Sequence, residues 1–271
     1  MTAASRLRFA GVVREPEPDL GLACLLIGCE VYPDLDVAPA LAQLDELGAD
    51  LRAEAPPSDS AYDQAVACRR VLGDHAGFRG YGDDYGDLRA SLLHEVLERR
   101  RGLPILLSVV YVETARRAGV PAHGIGLPGH FIVGVGEPGQ AVLLDPYVGG
   151  RLTSLPELAG RVPGEDRELT ERDLAPWHPV EIVARVLNNI RVLSARSGDV
   201  RTRLWAADLA LLLPSHHVEL RRERGELRAR LGDYLGAATD LELYADAVSG
   251  VDEDRADQAL SQARLVRSRL N

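Results

Sequence analysis

Apolar residues first fall into helical spacing between Leu20 and Val31, at Leu22, Cys24, Leu25, Leu26, Ile27 and Cys29. Leu41, Leu44, Leu47 and Leu51 mark a second helix, ended by Ala55-Pro56-Pro57, and Tyr62 to Leu72 forms a third that contains Cys68. The residues up to Pro18 carry no such period and read as a loose lead-in. Gly77 to Gly86 is rich in glycine and tyrosine and reads as a surface loop.

From Asp87 the stripe Leu88, Leu92, Leu93, Val96 and Leu97 predicts an amphipathic helix that stops at Arg101-Gly102. Pro104 can open the next helix, because the first helical position needs no backbone N–H. Ile105 to Val112 is almost wholly apolar. Continuation through Glu113, Ala115, Arg116 and Arg117 to Gly119 makes this a helix enclosed by the rest of its domain, too short in apolar residues to span a bilayer. After Val120-Pro121 the period becomes that of strands. His130–Val135 and Gln140–Asp145 flank Gly136-Glu137-Pro138-Gly139, a hairpin turn by composition. A turn centred between Glu137 and Pro138 puts Val135 opposite Gln140 and, counting outward, His130 opposite Asp145. Opposed residues have Cβ atoms roughly 4.5–5.5 Å apart, so an imidazole would meet a carboxylate that can fix its tautomer.

The run LERRRGLPILLSVVYVETARRAGVPAHGIGLPGHFIVGV, followed by LLDPYVGGRL, resembles the SirB-one family, a branch of the transglutaminase-like superfamily, and the likeness extends over nearly the whole chain. The resemblance implies that His130 and Asp145 correspond to the His and Asp of a Cys-His-Asp triad. It also implies a nucleophilic cysteine at the start of the central helix, where this chain has Pro104, which carries no nucleophilic atom. Ser108, one turn further on, is the hydroxyl nearest that place; a helical serine more often bonds back to a carbonyl a turn earlier. Relatives often carry a "DPRNS.LN" stretch where this chain has Asp87-Leu88-Arg89-Ala90-Ser91 and then His94. The segment GGRLTSLPELAGRV resembles the family's turn and short helix, and Asn188-Asn189 resembles its "LNNLK", here read as bridging helices or the domain joint.

A Pro-rich joint, Ala175-Pro176-Trp177-His178-Pro179, places a boundary. Beyond it the chain is helical in period and repeats itself. Gly198-Asp199-Val200 recurs as Gly232-Asp233-Tyr234 at the 34-residue tetratricopeptide period. In that register Leu193 matches Leu227 and Leu209 matches Leu243, Leu212-Leu213-Pro214 closes the first unit, and Ala256–Leu270 reads as a capping helix.

The composition narrows the classes. The chain has 271 residues, 46% of them hydrophobic, which suits a sizeable core. Net charge is −10, every basic side chain is arginine, and the pI is near 5.2, which is not the footprint of a nucleic-acid binder. Cys24, Cys29 and Cys68 form no metal-ligand pattern and suit a reducing cytoplasm, and Cys24 and Cys29 read as small core residues. There is no apolar segment of signal-peptide type near the start and none of membrane-spanning length. Asp83, Asp84 and Asp87 read as solvated turn acids plus a helix cap. Glu98 to Arg101 reads as a charged, solvated turn that could make the helix start attractive to anions.

The expected fold is therefore α+β: a helical segment over 1–86, a papain-like transglutaminase core over 87–175 and tetratricopeptide-like helices over 176–271. The expected function is a non-catalytic transglutaminase-like module that binds a protein or peptide through the old cleft and the repeats. It would need no cofactor and no metal, and would engage neither nucleic acid nor membrane. The alternative is an amide hydrolase or acyl transferase in which His130 and Asp145 activate water or Ser108.

Overall fold

In a computed structural model, described over residues 3–55, 60–159 and 169–270, the chain forms two compact units, Met1–Val186 and Leu187–Asn271. The expected helix end at Pro56-Pro57 and the last residues of GGRLTSLPELAGRV lie outside the described residues.

The lead-in is not loose. Ala3–Val12 is a helix, α1, with Phe9, Ala10 and Val12 buried and Arg6 bonded to Glu30 at 2.7 and 3.1 Å. Its stripe is too short to register as a period, and a helix of that length depends on packing, here against α2, Leu20–Gly28. Asp19 caps α2, its carboxylate accepting from the Leu22 N–H at 2.8 Å. Then come α3, Ala38–Glu54, and α4, Ala61–Cys68, which runs on as a π-helical stretch, Arg69–His75.

The stripe that starts at Leu88 is not one helix. Leu88–Ser91 is a 3₁₀ turn capped by Asp87, Leu92 is extended (φ −116°, ψ 118°), and α5 covers only Leu93–Arg99. The kink lets the consecutive leucines Leu92 and Leu93 both be fully buried, which one amphipathic face cannot do as well. α5 ends with Arg100 in the left-handed region (φ 57°), before the glycine expected to end it. The Arg100 guanidinium lies 4.8 Å over the Phe78 ring, a contact that offsets the roughly 1–2 kcal/mol cost of that backbone.

Pro104 does open the central helix, α6, Pro104–Ala118, and its first eight residues are all buried. It packs on a meander of four antiparallel strands in the order β1-β2-β3-β4: Ala122–Leu127, His130–Val135, Val142–Asp145 and Arg151–Thr153. Ile125, Leu127, Ile132 and Leu143 share one face, covered by Leu158 of α7 (Leu155–Ala159) and by Leu169.

α8, Pro179–Ser197, leads into the second unit, which continues with α9 (Val200–Ala210), α10 (Glu219–Arg230), α11 (Tyr234–Val248) and α12 (Glu253–Arg267). The repeated Gly-Asp is a junction device. Gly198 and Gly232 take φ +74° and +86°, which turns the chain out of one helix at no Cβ cost. Asp199 and Asp233 then accept from the N–H groups of Thr202 and Gly236 at 3.0 and 2.9 Å, capping the next helix. Leu209 is buried but Leu243 is 43% exposed, so that part of the repeat register does not hold. The inward positions of α11 are instead Leu241 and Tyr244, where α9 has Ala207 and Ala210. Ala256, Ala259 and Ala263 of α12 close the unit over Tyr244, Leu241 and Val248. Asn188 is exposed, and its amide oxygen accepts from Arg191, one turn on, at 3.2 Å.

Asp199→Ala and Asp233→Ala should each lower stability by about 1 kcal/mol, read from the denaturant midpoint. A loss of a few tenths at both positions would mean that the junctions do not depend on their caps. A pH effect is expected at His94, which packs against Gly28 so closely that a Cβ there would lie 2.6 Å from its Nδ1. Burial holds its pKa below the ordinary 6.5. The unfolded chain therefore takes up the proton first, and this contribution to stability is lost as pH falls below 6.5 toward the folded value. His94→Asn should show a smaller drop in melting temperature between neutral and mildly acidic pH than the natural chain; an equal drop would rule His94 out as its source.

Candidate functional site

The site is built where β2 begins and β3 ends. Asp145 is fully buried, and its Oδ1 accepts from the Tyr147 N–H at 3.1 Å, closing the turn through Pro146. Its Oδ2 lies 3.0 Å from His130 Nε2. The approach is off the line of the ring N–H, so it is a close polar contact rather than an aligned hydrogen bond.

The contact is the expected one, but the register behind it is not. Val135 pairs with Val142, Gly134 with Leu143 and Val133 with Leu144. The loop takes in Gln140 and Ala141, and β3 starts two residues later than the turn composition suggested. Continued outward, that register sets Asp145 opposite Ile132 and makes His130 its diagonal neighbour. Because side chains alternate with period two, a slip of two leaves both on the same face, and diagonal partners roughly 7–8 Å apart at Cα are within reach of an imidazole.

Tyr147 completes the surroundings, its ring edge-on to His130 with centroids 6.1 Å apart and tilted against Tyr85 at 6.1 Å. No role was read for it from the sequence, although an aromatic directly after Asp-Pro was a visible signal. Of the charged turn Glu98 is exposed, but the arginines are partly buried and held. Arg101 bonds to buried Asp84 at 2.8 Å and to Asp83 at 2.6 Å and lies over the Tyr81 ring, while Arg99 pairs with Asp87 at 2.9 Å. These pairs, with the bridge between Arg79 and Arg101, fasten the 78–84 segment beside the start of α6.

Pro104 is buried at the first position of α6. The Ser108 hydroxyl is fully buried and donates to the Phe131 carbonyl of β2 at 3.4 Å, neither back to its own helix nor to His130. Cys24, Cys29 and Cys68 are free and buried, and burial raises all three thiols, Cys68 to about 12. Among the described residues no cluster of His, Cys, Asp and Glu could hold a metal ion, and no helix is long and apolar enough to cross a membrane.

Asp145→Asn tests the orienting contact. The amide oxygen should keep the Tyr147 N–H, which turns the NH₂ toward His130 and makes Nε2 an acceptor. The neutral imidazole should then carry its proton on Nδ1, a tautomer change visible in the ring ¹⁵N shifts, with the fold retained. Unchanged ring shifts would show that Asp145 does not set the tautomer.

Comparison with known proteins shows the family. A family model described as "Transglutaminase-like superfamily" matches residues 38–188, and one described as "Tetratricopeptide repeat" matches 190–271. A UPF0162 protein of Xylella fastidiosa is 34% identical over 228 residues, covering 81% of this chain and 80% of its own length. A UPF0162 protein of Pseudomonas aeruginosa is 36% identical over 190 residues, 69% of each chain. The F-box only protein 21 of Homo sapiens is 35% identical over 79 residues, 29% of this chain and 13% of its own. On that coverage the chain belongs to the transglutaminase-like superfamily, together with the UPF0162 proteins, and carries C-terminal tetratricopeptide repeats.

Proposed function

We propose that this protein is a non-catalytic transglutaminase-like module of the cytoplasm that binds a protein or peptide segment beside His130 and Asp145, with the repeat helices adding a second contact surface. The observation that carries the reading is Pro104 at the first position of α6, where a triad enzyme of this superfamily would hold its thiol. Such a thiol would have its thiolate favoured by the helix N-terminus, an advantage that proline cannot use. The remaining thiols support the same reading, since burial keeps them protonated and away from solvent. Tetratricopeptide arrays present extended surfaces that suit polypeptide partners.

A second reading, hydrolysis of an amide by water with His130 as base, draws on the part-exposed imidazole and its carboxylate 3.0 Å away. Ser108 is a poor nucleophile for it, because its hydroxyl is buried and committed to Phe131.

Labelled amine and a glutamine-containing peptide separate these readings. The natural chain should neither incorporate the amine nor release ammonia, and activity lost on alkylating Cys68 would overturn the proposal. In Pro104→Cys the new thiol should react with iodoacetamide, and His130→Ala in that background should slow the reaction several-fold. The fold should accept the change, since a first-turn N–H needs no partner within the helix. Equal rates with and without His130 would place the vacated position elsewhere.

A further inference from the structure

Alongside Tyr147 lies a cleft of about 510 Å³, lined by Arg69, Arg79 and Arg151 but only one carboxylate, Asp74. That volume is in the range of sites that take small groups. Arg69 and Asp74 stand 3.6 Å apart. Neither Arg79 nor Arg151 makes an ion pair among the described residues. Glu157 is close enough to Arg151 to feel its charge, but its carboxylate accepts from the Ser154 N–H at 3.0 Å and from the Ser154 and Thr153 hydroxyls. The cleft thus concentrates positive charge in a chain whose formal net charge is −10.

Its walls are pressed together. A Cβ on Gly80 would come within 1.9 Å of the Tyr147 ring, and one on Gly73 within 2.0 Å of the Gly149 carbonyl oxygen. The Gly80 N–H donates to the Tyr147 carbonyl at 2.9 Å. Two glycines therefore let the 73–80 stretch lie directly on 147–149, and the arginines project from a fixed frame. The frame adjoins the candidate site, because Arg151 stands directly opposite Asp145 in the β3–β4 pair and Tyr147 meets the His130 ring.

We propose that this cleft takes an aspartate or glutamate side chain of the polypeptide bound beside His130, so that the preferred partner is an acidic peptide. The proposal rests on the binding reading above and names the chemistry of its ligand. A guanidinium offers a planar fork of donors that fits a carboxylate with two parallel bonds, and among the described residues nothing takes up that fork on Arg79 or Arg151. The negative charge of the rest of the chain discourages acidic peptides elsewhere, which leaves the cleft as the place where one is held.

The test is fluorescence anisotropy on the full chain with labelled oligoglutamate and oligoglutamine peptides. Oligoglutamate should bind, more weakly as salt rises, and oligoglutamine should not. Replacing Arg79 and Arg151 by Gln should weaken binding on the order of tenfold for each arginine, with an unchanged melting temperature; Lys at both positions should restore part of it. Equal binding of both peptides, or oligoglutamate binding indifferent to the Gln replacements, would overturn the acidic preference while leaving a peptide-binding module in place. Protection of the chain by inorganic phosphate with no peptide binding would overturn it in favour of a small free anion. Should the Gln replacements instead alter turnover of an acyl substrate, the cleft would stand as an anion subsite and the non-catalytic reading would fall.

Discussion

A carboxylate with no access to water has to be met by donors, and Asp145 is that carboxylate here. One oxygen holds the Tyr147 N–H and so bends the chain at the end of β3; the other lies against the imidazole at the start of β2. The bend sends the chain on through Pro146–Val148 and back as β4, and it sets Tyr147 where its ring reaches both His130 and Gly80. Removing the side chain would leave a buried strand end with its turn unsupported. The His130 contact, the Tyr147 wall and the position of Arg151 all follow from satisfying one buried group.

The parts legible in the sequence were those with a local physical cause. Pro104 opens a helix because its missing N–H is harmless there, the Gly-Asp pairs mark helix junctions because each residue has its own backbone task, and the almost wholly apolar run from Ile105 to Val112 announced an enclosed α6. The likeness of His130 and Asp145 to triad members came from the company they keep along the chain, and the even pleat protected that reading from a wrong turn length.

What was not legible depended on partners distant along the chain. Nothing in Arg99-Arg100-Arg101 says that Asp87, Phe78 and Asp84 will hold them, so a structured corner looked like a solvated turn. α1 is helical because α2 offers a surface, and its own residues barely show it. Gly80 looked like an ordinary loop residue, and Gly73 drew no reading at all, until the atoms that would occupy their Cβ positions were in place. Ser108 spends its hydroxyl on a strand carbonyl that lies 23 positions further on.

The hairpin between β2 and β3 carries a rule for how this protein can change. Its two polar residues meet across a loop that runs from Gly136 to Ala141, and their shared face depends on the parity of that loop, not its length. An insertion or deletion of two residues would slide the strands and leave an imidazole and a carboxylate on one side. A change of one would send them to opposite sides and put a charge among the leucines of the other layer. Loop lengths among descendants of such a chain should therefore drift in even steps wherever the pair is kept, so that parity itself is what selection can see.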